Sequence, residues 1–342
     1  SLYNNQIPPG GADVVHFGLD VPGYVRAPIT VEVRLQYRKF DTTYMKHVYG
    51  EDFVNDLPIM TLAADRMTFP VSGEDVQNAP SEIPEWERWN DYGIGMLLKG
   101  GKTKGDLRRA EEAFIQVEAL GRPDGPLNLA RVYIQQGTVQ DQAIEALNRA
   151  AAFDPPAPGW SVAWFTGLVN KQNGFLEEAI ASFKSIVEAD DAEMRLRGFD
   201  FSQDYRLLNE IGLTLFERAK QERGEANRTR REHLLQDARS YFDRALGLDP
   251  ENITAHYNLS LILRQIGERN EGLAHLELYQ KYKPDDNARG QAVTAARVND
   301  PAANHAAEAI VIYDLNRSEA FERTVETGER RATRYELVRP DR

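Results

Sequence analysis

The sequence contains no cysteine. This absence excludes disulfides, thiolate metal ligands, a cysteine nucleophile and covalent attachment of haem through a C-x-x-C-H motif, and it is compatible with any redox compartment. The sequence also lacks a hydrophobic run approaching the roughly 20 apolar residues that a membrane-spanning helix needs. Because Ser1 is not a start methionine and no leader pattern precedes it, we expect a processed chain or part of a longer polypeptide.

Basic residues are in the minority. The 342 residues include 41 Lys and Arg against 53 Asp and Glu, which gives a net charge of −12 at pH 7. Because such a chain repels nucleic-acid phosphates, we predict no nucleic-acid partner. The charge suits a basic protein surface, although ordinary solvated helix faces also account for it.

Residues for catalysis or metal binding are equally scarce. The six histidines are His16, His47, His233, His256, His275 and His305. None has a His or carboxylate neighbour at metal-ligand spacing, and no Ser–His–Asp set, H-E-x-x-H motif or carboxylate pair is present. GGKTKG at 100–105 lacks the first glycine of a phosphate-binding loop, since Met96 occupies that position, and we interpret it as an enlarged turn. We therefore predict no catalytic residue, no metal site and no cofactor in this chain.

What the sequence does contain is a repeated pair of short amphipathic helices. In the clearest copy, ITAHYNLSLILRQIGERNEGLAHLELYQKYKP, the small residue Ser260 is followed after 12 positions by Gly272 and after 12 more by Pro284. Gly167 and Ala179 keep the same interval upstream. Small residues at these positions allow the two helices of a pair to approach closely. A helix pair this short cannot bury its apolar face alone, so it needs stacked neighbours.

Five ordered copies run from about Pro84 to Pro284. An enlarged turn, GGKTKGDL, interrupts the first copy, and about 14 extra residues within KQERGEANRTRREHLL lengthen the fourth. Together the copies resemble the tetratricopeptide repeat (TPR), a helix–turn–helix unit of 34 residues. The residues that carry the resemblance are Trp164, Gly167, Gly174, Ala179 and Phe183 in the third copy and Ala238, Phe242, Ala245 and Pro250 in the fourth.

Both ends of the chain predict β-structure. The clearest strand runs from Ile29 to Phe40, where Val31, Val33, Leu35 and Tyr37 alternate with polar residues, a pattern typical of one buried and one solvated face. A strand is also predicted at 12–20, with its core at 14–19, and weaker ones at 60–62 and 67–71. The segments 309–315 and 331–338 read as strands near the C-terminus. We expect the strands from both ends to meet in one small β-sandwich.

The predicted fold class is α+β, mainly α. It combines a TPR solenoid of about five helix pairs with a small N-terminal β-sandwich-like domain that C-terminal strands complete. The predicted organisation is a β domain at 1–72, a linker at 73–84, the TPR array at 85–284, a capping helix at 285–300, and C-terminal strands at 301–342 that pack on the β domain.

The flanking segments carry a second resemblance. VHFGLDVPGYVRAPITVEVRLQYRKFDTTYMKHVYG, LPIMTLAADRMTFPV and the tail DPAANHAAEAIVIYDL are similar to parts of bacterial multihaem c-type cytochromes that flank tetratricopeptide repeats. The resemblance implies a periplasmic or extracellular location. The chain would be either the haem-free part of a longer polypeptide or a separate chain whose partner is a multihaem cytochrome or further copies of itself. His16 or His47 could then supply an axial ligand to a haem carried elsewhere; a structural or surface role is the alternative.

The TPR resemblance also implies a partner-binding groove along the first helices. In this family the Asn two places before the small first-helix residue can bond a peptide backbone, and Asn128 and Asn258 occupy that place. Arg131, Lys171 and Arg264 would add positive charge to the same groove. Ordinary solvated helix polarity explains the same residues.

These observations predict a non-enzymatic scaffold for a multihaem cytochrome or an electron-transfer assembly. One alternative is a general peptide-binding adaptor or assembly factor with no link to electron transfer. The other is an enzyme, such as a hydrolase, in the β domain, for which no motif is present.

Overall fold

The computed structural model describes residues 7, 10–99, 104–137, 140–189, 192–299 and 312–314. The chain divides into two compact units, one formed by residues 1–15 and 83–311 and the other by residues 16–82 and 312–342. The architecture is α+β and mainly α, as predicted. Within the described ranges, the helices are too short or too polar to cross a membrane.

The described residues of the smaller unit form two separate two-stranded sheets. Strand β1 (His16–Gly18) pairs in parallel with β4 (Ile312–Asp314). Strand β2 (Ile29–Tyr37) pairs antiparallel with β3 (Met60–Phe69), with an irregularity at Leu35/Gln36. Helix α1 (Thr42–Tyr49) follows β2, and the Asp41 carboxylate accepts the Tyr44 backbone N–H at 2.6 Å as its N-cap.

The β2–β3 ribbon corrects two details of the sequence analysis. The two weak strands predicted at 60–62 and 67–71 are one continuous strand, β3. The alternation in β2 does separate an apolar from a polar face, but the prediction that the apolar face is buried is wrong. Val33 is 53% exposed, Leu35 60% and Tyr37 50%. Alternation reports which way side chains point, whereas burial depends on what packs against them.

The predicted β-sandwich is replaced, in the described ranges, by these two small sheets. Strand β4 falls within the predicted strand 309–315, and its pairing with β1 joins segments from both ends of the chain. The predicted strand 331–338 lies outside the described residues.

The larger unit is an array of helix pairs. The pairs are α2 (Glu85–Lys99) with α3 (Lys104–Ala119), α4 (Asp124–Gln136) with α5 (Gln140–Ala152), α6 (Gly159–Gln172) with α7 (Leu176–Val187), α9 (Tyr205–Gln221) with α10 (Arg228–Leu248), and α11 (Ile253–Gln265) with α12 (Arg269–Tyr282). A short helix, α8 (Ala192–Arg197), lies between α7 and α9, and α13 (Asp286–Asn299) follows the last pair. The five predicted pairs are present.

A small residue facing a phenylalanine forms the joint within three of the pairs. A Cβ atom on Gly93, Gly167 or Gly212 would lie 2.5, 2.4 or 2.9 Å from the ring of Phe114, Phe183 or Phe242, respectively. These three rings are fully buried. The prediction that small residues allow close helix approach is therefore confirmed.

Two insertions change the connections and leave these joints intact. Residues 100–103 of the predicted enlarged turn lie outside the described ranges, and the rest of GGKTKGDL belongs to α3. In the fourth pair the extra residues lengthen α9 to 17 residues and α10 to 21, with a single 3₁₀ turn at Glu225–Asn227 between them.

Candidate partner-binding face

Polar side chains bond one another across successive first helices of the array. Asn90 on α2 accepts from Asn128 on α4, Arg131 on α4 lies over the Phe165 ring on α6, and Lys171 on α6 pairs with Glu210 on α9. We call this set of residues, Asn90, Asn128, Arg131, Phe165, Lys171 and Glu210, the first-helix face. The structure therefore places three of the five predicted groove residues in contacts that link α2 to α4, α4 to α6 and α6 to α9.

Both polar atoms of the Asn128 side-chain amide form a hydrogen bond. Its Nδ2 donates to Asn90 Oδ1 at 2.9 Å, and its Oδ1 accepts from Arg131 Nη1 at 2.8 Å. Because an amide has two N–H groups and two acceptor lone pairs, one of each is still available to a bound chain. The side chain is only 7% exposed, so a partner would have to approach closely to reach it.

Arg131 carries a positive charge in a half-buried setting. Its guanidinium lies 5.9 Å from the Phe165 ring centroid and bonds the neutral amide of Asn128. Burial lowers the pKa of Arg131 from its ordinary value, because removal from water disfavours the charged form. Among the described residues, no carboxylate forms a salt bridge with it. Arg131 is therefore a cation whose charge is compensated only weakly by its neighbours.

Lys171 is different, because the next helix pair neutralises it. Its Nζ lies 2.9 Å from Glu210 Oε2 and 4.0 Å from Glu217 Oε1, and both carboxylates belong to α9. The contact joins the third and fourth pairs. The Lys171 ammonium therefore lies beside two carboxylates, those of Glu210 and Glu217.

Asn258 and Arg264 lie on α11, at the other end of the array. Asn258 Nδ2 donates to the Thr254 carbonyl of its own helix at 2.8 Å. Arg264 borders an open pocket of about 530 Å³ at the α11–α12 turn, beside Leu261, Gln265, Gly267 and Arg269. In the part of the chain that the structure describes, neither residue contacts Asn128, Arg131 or Lys171.

The two histidines of the smaller unit occupy different settings. His16 lies in β1, half-buried, opposite Ile312 of β4. His47 is exposed in the last turn of α1. Their predicted role as axial ligands to a haem of a partner stays a prediction.

The structure brings together two histidines whose contact was not predicted from the sequence. His256 on α11 and His275 on α12 approach to 2.9 Å between their Nδ1 atoms, and His256 Nε2 lies 3.0 Å from the Pro250 carbonyl oxygen. Because a carbonyl only accepts, Nε2 of His256 carries the proton, and in the neutral ring Nδ1 accepts from His275 Nδ1–H. Burial, followed by the proximity of His256, lowers the pKa of His275. Helix periodicity gives no signal for two residues so far apart in sequence.

An aromatic cluster at the α7–α9 connection was also missed. Trp160 lies 6.1 Å from both Phe199 and Phe201, measured between ring centroids, and Arg197 lies 4.7 Å above the Phe199 ring. The insertion that carries α8 thus packs against the start of α6. In the ranges that the structure describes, no group of three or more His, Asp or Glu side chains could hold a metal ion.

Comparison with known proteins supports the repeat assignment. Two family models, each described as a tetratricopeptide repeat, match residues 103–158 and 230–296. A search of curated proteins gives no match. Similar solved structures include MamA AMB-1 (22% identity, 58% of this chain and 98% of that chain, TM-score 0.41) and MamA MSR-1 (20% identity, 58% and 95%, TM-score 0.41). The chain therefore contains tetratricopeptide repeats, and its helical array is a tetratricopeptide-like array.

Proposed function

We propose that this chain is a non-enzymatic scaffold that binds a protein partner through the first-helix face. Tetratricopeptide repeats are typical of non-catalytic scaffolds that bind other proteins. The observation that carries the proposal is Arg131, a half-buried guanidinium beside an aromatic ring and a buried amide, with no salt bridge to a described carboxylate. A partner carboxylate or backbone carbonyl bound there would add a charge-assisted hydrogen bond.

The partner in this proposal is a multihaem c-type cytochrome or further copies of this chain, in the bacterial periplasm or at the cell surface. The support is the similarity of the flanking segments to regions beside tetratricopeptide repeats in such cytochromes. The chain lacks C-x-x-C-H, so the covalently attached haem would belong to the partner. The net charge of −12 favours a partner with a basic surface, and binding should weaken as salt increases.

The experiment is capture of partners from the native envelope fraction on the immobilised chain, followed by a visible absorption spectrum of the eluate. A haem Soret band that elutes in fixed stoichiometry, and is lost at high salt, supports the cytochrome partner. A Soret band whose recovery does not change with salt contradicts the electrostatic part of the proposal.

A peptide-binding adaptor unrelated to electron transfer is the second candidate. The unused hydrogen-bonding capacity of Asn128, next to Arg131, favours it because an extended backbone offers both donors and acceptors. A colourless eluate that contains a stoichiometric protein, with binding abolished by Asn128→Ala, would favour this candidate over the cytochrome.

A further inference from the structure

Strand β2 of the smaller unit presents an edge that can accept another strand. Seven of its nine residues are exposed, including Val33 at 53% and Leu35 at 60% on the apolar face. A two-stranded ribbon by itself is marginal in water, whereas three or more strands with an apolar face are stable. A long, exposed edge strand also offers its backbone groups to other strands. The ribbon is therefore suited to pairing with a further strand.

The opposite edge of the ribbon, along β3, is closed near its end by a side chain. Asn78 accepts the Thr68 backbone N–H at 2.7 Å and donates to the Thr68 carbonyl at 2.9 Å. These two bonds imitate those of a neighbouring strand, and they show that the backbone groups of Thr68 point away from β2. Pairing with a further strand is therefore expected at the edge of β2.

The same bonds give the direction of the β2 backbone. Thr30 is opposite Thr68, and because Thr68 directs both backbone groups to Asn78, the two threonines form a non-hydrogen-bonded pair. Backbone directions alternate along an antiparallel pair, so Thr30, Glu32 and Arg34 point their N–H and C=O groups to the outer edge. For Thr30 and Glu32, none of the described residues bonds these backbone groups.

We propose that this edge pairs with the same edge of a second copy of the chain, as two antiparallel β2 strands related by a two-fold axis at Val33. Such an interface is isologous, so each contact occurs twice. The axis places Glu32 of each copy opposite Arg34 of the other. Because both residues point their backbone groups outward, each of these pairs exchanges N–H···O=C bonds. The inference concerns the smaller unit and does not depend on the first-helix face.

Charge complementarity selects a second copy as the occupant of this edge. Glu32 and Arg34 form an ion pair of 2.6 Å within β2, and Arg66 of β3 is opposite Glu32. In the proposed pairing a row of alternating charge crosses the polar face, from Arg66 through Glu32 to Arg34 of the second copy. Opposite charges on directly opposite residues stabilise a sheet. A second copy supplies this order of charges by symmetry.

The apolar face favours the same register. Val33 lies opposite Val33 of the second copy, and Val31 lies opposite Leu35, so the apolar side chains of both copies form one surface. Moving the axis to Glu32 would place two carboxylates opposite each other, and moving it to Arg34 would do the same with two guanidinium groups. An axis between two residues would set outward backbone groups against inward ones. The axis at Val33 is therefore the arrangement that satisfies both faces.

The absence of cysteine allows a direct test by cross-linking in the full chain. Val33 and its counterpart would form a non-hydrogen-bonded pair with Cα atoms about 4.5 Å apart, a separation that suits a disulfide. Val33→Cys should therefore form disulfide-linked dimers on mild oxidation. The matched control is Leu35→Cys on the same face, whose two copies would lie roughly 14 Å apart and should cross-link about tenfold more slowly or less. Equal rates for the two variants, or no disulfide in either, would overturn the proposal.

A charge exchange tests the register without cysteine chemistry. Glu32→Arg alone creates two Arg–Arg pairs across the interface, and Arg34→Glu alone creates two Glu–Glu pairs, so each variant should associate roughly tenfold more weakly than the unchanged chain. An equimolar mixture of the two variants sets Arg opposite Glu at both positions and should recover association. Sedimentation equilibrium over a roughly hundredfold range of protein concentration measures the dimer. An unchanged chain that stays monomeric, or a mixture that associates no more than its components, would contradict the pairing.

Discussion

Gly167 on α6 and Phe183 on α7 meet so closely that a Cβ atom on Gly167 would lie 2.4 Å from Cε1 of the ring. The Phe183 side chain is fully buried and belongs to the core shared by the third, fourth and fifth helix pairs. The same joint recurs at Gly93 with Phe114 and at Gly212 with Phe242. The array is therefore built on a contact that requires the smallest side chain on one of the two helices.

The first prediction is that Gly167→Ala destabilises the array by about 1–3 kcal/mol, the usual cost of overpacking a tight core. The expected result is a lower urea midpoint, measured by far-ultraviolet circular dichroism. Gly247→Ala is the matched control, because Gly247 also lies in a helix but has open space around it. The control should be neutral or stabilising by up to about 1 kcal/mol. An equal loss of stability in both variants would contradict a tight contact between Gly167 and Phe183.

The second prediction concerns the lengthened fourth pair. The Glu222 carboxylate lies 2.6 Å from Arg218 and 3.2 Å from Arg230, and its side chain is 9% exposed. Glu222→Gln should therefore cost about 1–3 kcal/mol, since Arg218 and Arg230 lose their buried carboxylate and keep only the exposed Glu177, at 2.8 and 3.0 Å. Urea titration measures the loss. Glu225→Gln, which removes an exposed carboxylate 3.3 Å from Arg228, should change stability by less than about 0.5 kcal/mol.

The third prediction is a pH dependence in the last helix pair. Because burial and the neighbouring His256 lower the pKa of His275 below the ordinary histidine value of 6.5, the unfolded state takes up this proton first as the pH falls. The contribution of neutral His275 to the stability of α11 and α12 is therefore fully present above about pH 6.5 and decreases below it. Hydrogen exchange of these helices should accelerate between pH 7.5 and pH 5.5, after correction for the intrinsic pH effect. The Asp243 carboxylate raises the pKa of His275 and the Arg239 guanidinium lowers it, so these two effects oppose each other.

The control for this titration is the same measurement on two variants. His275→Gln should remove a large part of the pH dependence in α11 and α12. His233→Gln, on the neighbouring α10, should leave it unchanged. A pH profile identical in all three proteins would show that His275 is not responsible.

The parts of the fold that follow from local pattern could be predicted from the sequence. The interval between Ser260 and Gly272 locates the helix joint because helix geometry fixes which residues face a neighbour. Asn128 and Arg131 are three residues apart on one helix, so their contact also follows from periodicity. The five helix pairs were predictable for the same reason.

Contacts between elements were not predictable in the same way. Lys171 meets Glu210 only because the connection that carries α8 sets the position of α9, and nothing in the local pattern gives that position. The exposure of Val33 in β2 depends on what packs beside the ribbon. The sequence of a repeat protein therefore predicts the helix pairs and the contact within each pair, whereas the contacts between pairs are known only from the structure.

The most direct test of the proposed scaffold compares how tightly the envelope partner binds to the unchanged chain, to Arg131→Gln and to Arg108→Gln. Both substitutions remove one positive charge, but Arg108 lies on α3, a second helix, and is 75% exposed. Loss of a charge-assisted hydrogen bond costs about 1.5–3 kcal/mol, so Arg131→Gln should weaken binding roughly 10- to 100-fold. Arg108→Gln should bind as the unchanged chain does. Equal binding by all three proteins would contradict a partner held at the first-helix face.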